Sequence, residues 1–208
     1  MADHAGLERL LSPEERSARQ RFLREADRRA YAANRGLQRS LLGRYLSMDP
    51  ASVPIRRGPH GKPELVPAAD SGPVHFSLAH TRGLSLFAFT RLGGVGVDVE
   101  RIDPGLDPER CAAWIRLPAA RARLLAFPDT EKLAAFYSAW TAQEAWAKAL
   151  GPGLGPVLDA PEGGNPMAPA GLTLVTLDAG PGYAAALAAP GPDFSLSFMG
   201  RIGCHPLE

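Results

Sequence analysis

Seven residues of this 208-residue chain have types and spacings that could do chemistry: Arg57, Lys62, His80, Asp98, Glu100, Glu144 and Lys148. Asp98 and Glu100 lie two apart in Gly94-Val95-Gly96-Val97-Asp98-Val99-Glu100. In a strand such residues project from one face, about 6.5–7 Å apart along the chain, while Val95, Val97 and Val99 point the other way. Two carboxylates beside small residues could seat a hard cation. Mg²⁺ suits the pattern because it takes few carboxylates and completes its shell with water and substrate phosphates. The wet face of an edge strand has the same pattern. Glu144 and Lys148 stand at i and i+4 in Trp140-Thr141-Ala142-Gln143-Glu144-Ala145-Trp146-Ala147-Lys148, so a helix makes them neighbours. A surface ion pair has that spacing. Beside tryptophans and alanines, however, a partly desolvated carboxylate could also serve as a general base and the ammonium could steady phosphate charge. Arg57, Lys62 and His80 fall in or beside loops, in Arg56-Arg57-Gly58-Pro59-His60-Gly61-Lys62-Pro63 and His75-Phe76-Ser77-Leu78-Ala79-His80-Thr81. They are the donors a polyphosphate needs, although basic loop residues are ordinarily solvated.

These residues need elements to hold them. Residues 12–48 carry apolar side chains at helical spacing, opened by Ser12-Pro13-Glu14-Glu15 with serine as N-cap. Asn34-Arg35-Gly36 predicts a break into two helices. A Pro/Gly-rich loop follows over 54–73, then three strands near 74–78, 84–90 and 95–99, with turns at Arg82-Gly83 and Gly93-Gly94. Helical patterns are weaker over 107–126 and strong over 130–150, where Gly151-Pro152-Gly153 ends the run. After a Pro/Gly loop over 156–170, strands are predicted near 172–177, 183–189 and 193–199. The order of helices, strands, helices and strands points to an α+β protein of two sub-lobes.

Composition narrows the function classes. With 45% hydrophobic residues, 22% charged, and 23 basic against 22 acidic side chains, the chain can bury a core and carries no bulk charge. That excludes a disordered tail, a collagen-like repeat and a basic nucleic-acid coat. Between residues 16 and 44, nine arginines face only Glu25 and Asp27, yet no aromatic-interleaved basic strand accompanies them, so no nucleic-acid partner is expected. The amino terminus lacks an apolar signal core, no apolar run approaches the ~18–20 residues of a membrane span, and Cys111 and Cys204 have no metal-site spacing. A cytoplasmic protein is expected. Only three of the basic residues are lysines, Lys62, Lys132 and Lys148.

Taken in order, four segments resemble the Sfp-type 4′-phosphopantetheinyl transferases. They are Gly61-Lys62-Pro63; Phe76 through Thr81; Val95-Gly96-Val97-Asp98-Val99-Glu100; and, about forty residues further, Trp140 through Lys148 with Gly151 and Gly153. The family patterns are GKP, FNxSHS, (I/V)G(I/V)DxE and W(S/T)xKEAxxKxxGxG. Residues 181–188 are similar to the family's closing strand, so the resemblance runs from about Ser12 to about Ala189.

The resemblance implies two similar α/β lobes related by a pseudo-twofold axis, with 1–95 gripping coenzyme A and 96–208 carrying the metal and the catalytic helix. It implies that Asp98, Glu100 and Glu144 hold Mg²⁺ against the pyrophosphate of coenzyme A, with Arg57, Lys62 and His80 on its phosphates. Glu144 would take the proton from a serine of an apo acyl or peptidyl carrier protein. The alkoxide would attack the β-phosphate, and Lys148 would steady the leaving adenosine 3′,5′-bisphosphate. A monomer is implied. The chain departs from the family at Ala79, where FNxSHS has serine, at Gln143, where the helix motif has lysine, and at Ala18, where a cation is expected. Those departures motivate the second expectation, a silent relative that binds coenzyme A or carrier protein without transferring the arm.

Overall fold

The computed structural model describes residues 4–58, 61–66, 72–151, 171–191 and 194–200. The fold is α+β, as expected, and the described residues cluster into two compact units. The first runs up to Ile55 and includes 195–200; the second runs from Arg56 to Phe194. The lobe boundary expected after residue 95 lies inside the second unit, at the start of the strand Gly96–Arg101.

The first unit is helical: α1 (His4–Arg9), α2 (Pro13–Gln20), α3 (Glu25–Leu46) and a 3-10 turn (Pro50–Ser52). Ser12 caps α2 in a reciprocal box, its Oγ accepting the Glu15 N–H at 3.2 Å while Glu15 Oε2 accepts the Ser12 N–H at 2.9 Å. The same Oε2 receives Arg39 Nε at 2.6 Å, and Arg39 also donates to the carbonyls of Ala51 and Val53. One arginine of the basic run is therefore a buried fastener. The break predicted at Asn34-Arg35-Gly36 does not occur, because α3 passes through it unbroken. Gly36 is instead a notch, where a Cβ would run into the backbone of Leu7 on α1. Glycine here serves close helix approach rather than a break. The real break is at residues 21–24.

The second unit carries the strands. Two short strands inside the expected loop, β1 (Ile55–Arg57) and β2 (Pro63–Leu65), pair with each other. β3 (His75–Thr81) and β4 (Leu84–Thr90) form an antiparallel hairpin in which His75 faces Thr90 and Thr81 faces Leu84. β5 (Gly96–Arg101), β6 (Leu172–Leu177) and β7 (Tyr183–Pro190) form an antiparallel sheet of order β5-β7-β6. α4 (Pro118–Ala126) and α5 (Asp129–Leu150) complete the unit. The strand predicted over 193–199 is not found, since 194–200 are irregular; the expected loop over 156–170 lies outside the described residues.

Alternation along β5 and β7 divides the core into two layers. Val95, Val97 and Val99 pack with Ala185, Leu187 and Ala189 against Ala79 and Ala88 of the hairpin. On the opposite face Ala186 and Ala188 pack against Ala142, Ala145, Trp146 and Ala149 of α5. Small β7 side chains let α5 lie close to the sheet. That closeness builds the site.

Candidate active site

Gly94, Gly96, Asp98 and Glu100 share the β5 face turned to α5. A Cβ on Gly94 would run into the carbonyl of Ala149, and one on Gly96 into the carbonyl of Ala145 and within 2.5 Å of the Ala149 nitrogen. The two glycines are therefore what allows the backbones of β5 and α5 to touch. Immediately beyond the contact, side chains fill the gap. Lys148 on α5 donates to Asp98 Oδ1 at 2.7 Å and to the Val97 carbonyl at 3.1 Å. Asp98 is buried, and its Oδ2 is a buried oxygen without a hydrogen-bond partner.

Glu144 and Glu100 complete the cluster. Burial pushes the Glu144 carboxyl above its ordinary pKa, and the nearby Asp98 and Glu100 charges add to the rise while Lys148 opposes it. Glu100 is likewise raised, by burial first and then by Asp98. Trp140 offsets part of this by donating its indole N–H to Glu100 Oε1 at 3.4 Å. The indole is braced by Phe136, stacked at 6.4 Å, and by Trp114 at 6.0 Å. Glu100 and Glu144, each raised by burial and by the Asp98 charge, make with Lys148 an electrostatic environment suited to an added cation.

Donor chemistry and the orphaned Asp98 oxygen fit a hard divalent ion. Among the described residues, no three His, Cys, Asp or Glu side chains are already gathered as a metal-holding group. Lys148 occupies one Asp98 oxygen, and the other faces no hydrogen-bond partner.

The edge of β5 away from β7 faces β3, and side chains replace the missing backbone ladder there. Ser77 Oγ accepts the Val97 N–H at 3.1 Å and Thr81 Oγ1 accepts the Arg101 N–H at 3.2 Å. Both pairs are twenty residues apart, so β3 and β5 run in the same direction. This alignment brings exposed His80 near Glu100, whose charge it helps to stabilise. Arg57 is exposed on β1. Lys62, expected among the phosphate-gripping cations, has its ammonium on two carbonyls, Val95 at 2.9 Å and Lys148 at 2.6 Å. Burial lowers its pKa, and the Lys148 charge acts in the same direction.

Sequence reasoning missed three parts of this site. Trp140, Ser77 and Thr81 stand in the motifs without their partners being legible, and Gln143 stands there only as a departure. Gln143 is buried, with Oε1 accepting the Arg116 N–H at 2.6 Å and Nε2 donating to the Trp114 carbonyl at 3.0 Å. It therefore ties the 114–116 segment to α5 one residue before Glu144. Gln143→Leu would take this partner from both the part-buried Arg116 N–H and the Trp114 carbonyl and is expected to lower stability by about 2 kcal/mol, measured by urea unfolding. A change within ~0.5 kcal/mol would refute this tie.

An α+β chain with an acidic strand face set against a Glu/Lys helix defines a narrow class, and comparison with known proteins narrows it further. The model of the 4′-phosphopantetheinyl transferase N-terminal region matches residues 2–89, and that of the 4′-phosphopantetheinyl transferase superfamily matches residues 94–167. 4′-Phosphopantetheinyl transferase HetI of Nostoc sp. is 35% identical over 69% of this chain and 61% of its own length. A putative 4′-phosphopantetheinyl transferase of Synechocystis sp. is 32% identical over 72% of this chain and 60% of its own. 4′-Phosphopantetheinyl transferase Sfp of Bacillus subtilis is 26% identical over 88% of this chain and 84% of its own. This chain belongs to the 4′-phosphopantetheinyl transferase superfamily. It spans 61% and 60% of the length of the first two relatives. Among the described residues, no helix is long and apolar enough to cross a membrane.

Proposed function

We propose that this protein moves the 4′-phosphopantetheine arm of coenzyme A onto a serine of an apo acyl or peptidyl carrier protein, releasing adenosine 3′,5′-bisphosphate. The observation that supports this most is the grouping of Asp98, Glu100, Glu144 and Lys148 across the β5–α5 contact. The two-lobe division at 95/96 is part of the reading; the two family matches, over 2–89 and 94–167, divide a few residues before it. So is a cytoplasmic monomer.

Asp98, Glu100 and Glu144 would hold Mg²⁺, which when bound supplies positive charge to the pyrophosphate. The other tasks fall to this chain's own side chains. Arg57 and His80 orient the phosphates of coenzyme A. Glu144, whose proton affinity is raised by its surroundings, takes the serine hydroxyl proton directly or through water. The serine oxygen then bonds to the β-phosphorus as the bond to the bridging oxygen breaks. Lys148 turns toward that oxygen and steadies its charge. The protein's contribution is thus mainly placement and charge neutralisation, as phosphoryl transfer requires.

Incubation with coenzyme A, Mg²⁺ and apo carrier proteins, followed by weighing the carrier, tests the reading. A gain of about 340 Da, the mass of the arm itself, is expected and should vanish with excess chelator. Binding of coenzyme A with no mass gain on any of several carriers would instead favour the silent relative.

A further inference from the structure

Lysine is the rare cation of this chain, and each of its three ammonium groups is held by two acceptors at once. Lys132 takes the carboxylates of Glu109 and Asp129, and Lys148 takes Asp98 and the Val97 carbonyl. Lys62 takes the carbonyls of Val95 and Lys148, at 2.9 and 2.6 Å. An ammonium directs its donors from one point, whereas a guanidinium spreads them over a planar fork.

The Lys148 carbonyl lies in the last turn of α5, where helix carbonyls lose their partners four residues ahead. Four residues beyond Lys148 is Pro152, which has no N–H to offer. Lys62 supplies the missing donor, and its charge faces the negative end of the helix dipole. Its other bond reaches Val95, immediately before β5. One side chain thus pins the end of α5 to the beginning of β5, from a segment 86 residues away from Lys148.

We infer that Lys62 is a positioning residue for Lys148: it fixes the last turn of α5 on β5 so that the Lys148 ammonium meets Asp98. The inference rests on the transferase reading only for its kinetic consequence. A phosphate-gripping lysine and a fastening lysine behave differently when replaced. Arginine keeps the charge a phosphate needs, but its larger planar fork would have to shift Val95 or Lys148 to reach both carbonyls from position 62.

The test compares full-length wild type, Lys62→Arg and Lys62→Met, with melting curves to confirm folding. In steady-state transfer both variants are expected to lose about 10- to 100-fold in kcat, the loss that a displacement of order 1 Å causes, with KM for coenzyme A within about threefold of wild type. In ligand-free protein, amide exchange at Ala149, Leu150 and Gly151 should accelerate in both variants while that at Phe136 to Thr141 stays unchanged. Unchanged exchange at the helix end overturns the inference. So does wild-type kinetics in Lys62→Arg together with a raised KM in Lys62→Met. If Lys62→Met does not fold, Lys62→Arg decides both measurements alone. If wild type transfers nothing to any carrier, the transferase reading fails, while the exchange data still decide the fastening.

Discussion

Asp98→Asn is expected to lower phosphopantetheine transfer at least about 1000-fold while leaving the fold nearly unchanged. The fall corresponds to ~4 kcal/mol of lost charge stabilisation, the order that a cation-holding carboxylate controls in phosphoryl chemistry. Asn and Asp have the same shape, and the amide oxygen can still accept from Lys148. What disappears is the charge. The buried second oxygen, which has no hydrogen-bond partner, becomes an NH₂ group that cannot face a cation. Lys148 retains about a third of its side-chain exposure, so loss of its ion pair is cushioned by water. The melting temperature should therefore move by only a few degrees. Wild type should gain thermal stability on Mg²⁺ addition, because an ion that binds the native state alone stabilises it, and the variant should not. Transfer within tenfold of wild type, or an undiminished Mg²⁺ shift in melting, would remove Asp98 from the proposed cation site.

The β5 face could be read from the amino acids because strand periodicity is local. Alternating glycine or carboxylate with valine over residues 94–100 specifies two faces, and both are found: valines in one core layer, carboxylates toward α5. The same locality made α5 legible as a continuous helix bearing Glu144 and Lys148. Partnerships set by tertiary packing were not legible. Nothing around Lys62 says that its acceptors are the carbonyls of Val95 and Lys148, and nothing around Trp140 names Glu100, forty residues away. Gly36 shows the opposite failure. Its local meaning, a helix break, was overridden by the approach of α1, which needs the missing side chain. The 193–199 segment alternates like a strand over Phe194-Ser195-Leu196-Ser197-Phe198, but alternation alone does not make a strand, and residues 194–200 pair with no sheet edge.

Glu144→Gln should separate stability from activity in opposite directions. Burial and the charges of Asp98 and Glu100 raise the folded-state pKa of Glu144 above its ordinary value of 4.5, so between the two values the native state binds more protons than the unfolded chain. Stability contributed by this group is therefore full below the unfolded pKa and is lost as pH rises through the folded one. At pH 7 to 8 the ionised Glu144 is a cost to the fold, which a neutral glutamine of the same shape relieves. The variant is expected to melt above wild type at pH 8, with the gap closing as pH approaches 4. Adding Mg²⁺ should also narrow the gap, since charge compensation relieves wild type and not the variant. Transfer moves the other way, because glutamine cannot take a proton from the serine hydroxyl; a fall of about 10²–10⁴-fold is expected from this cause alone. Melting curves across pH 4–8 with and without Mg²⁺, beside carrier-mass assays, test both halves. A variant less stable than wild type at pH 8 would refute the electrostatic account of the cluster, and one that keeps its transfer rate would remove Glu144 as the base. If both expectations hold, the acidic cluster is maintained against its own repulsion, which is what a site built to receive a cation and a proton would require.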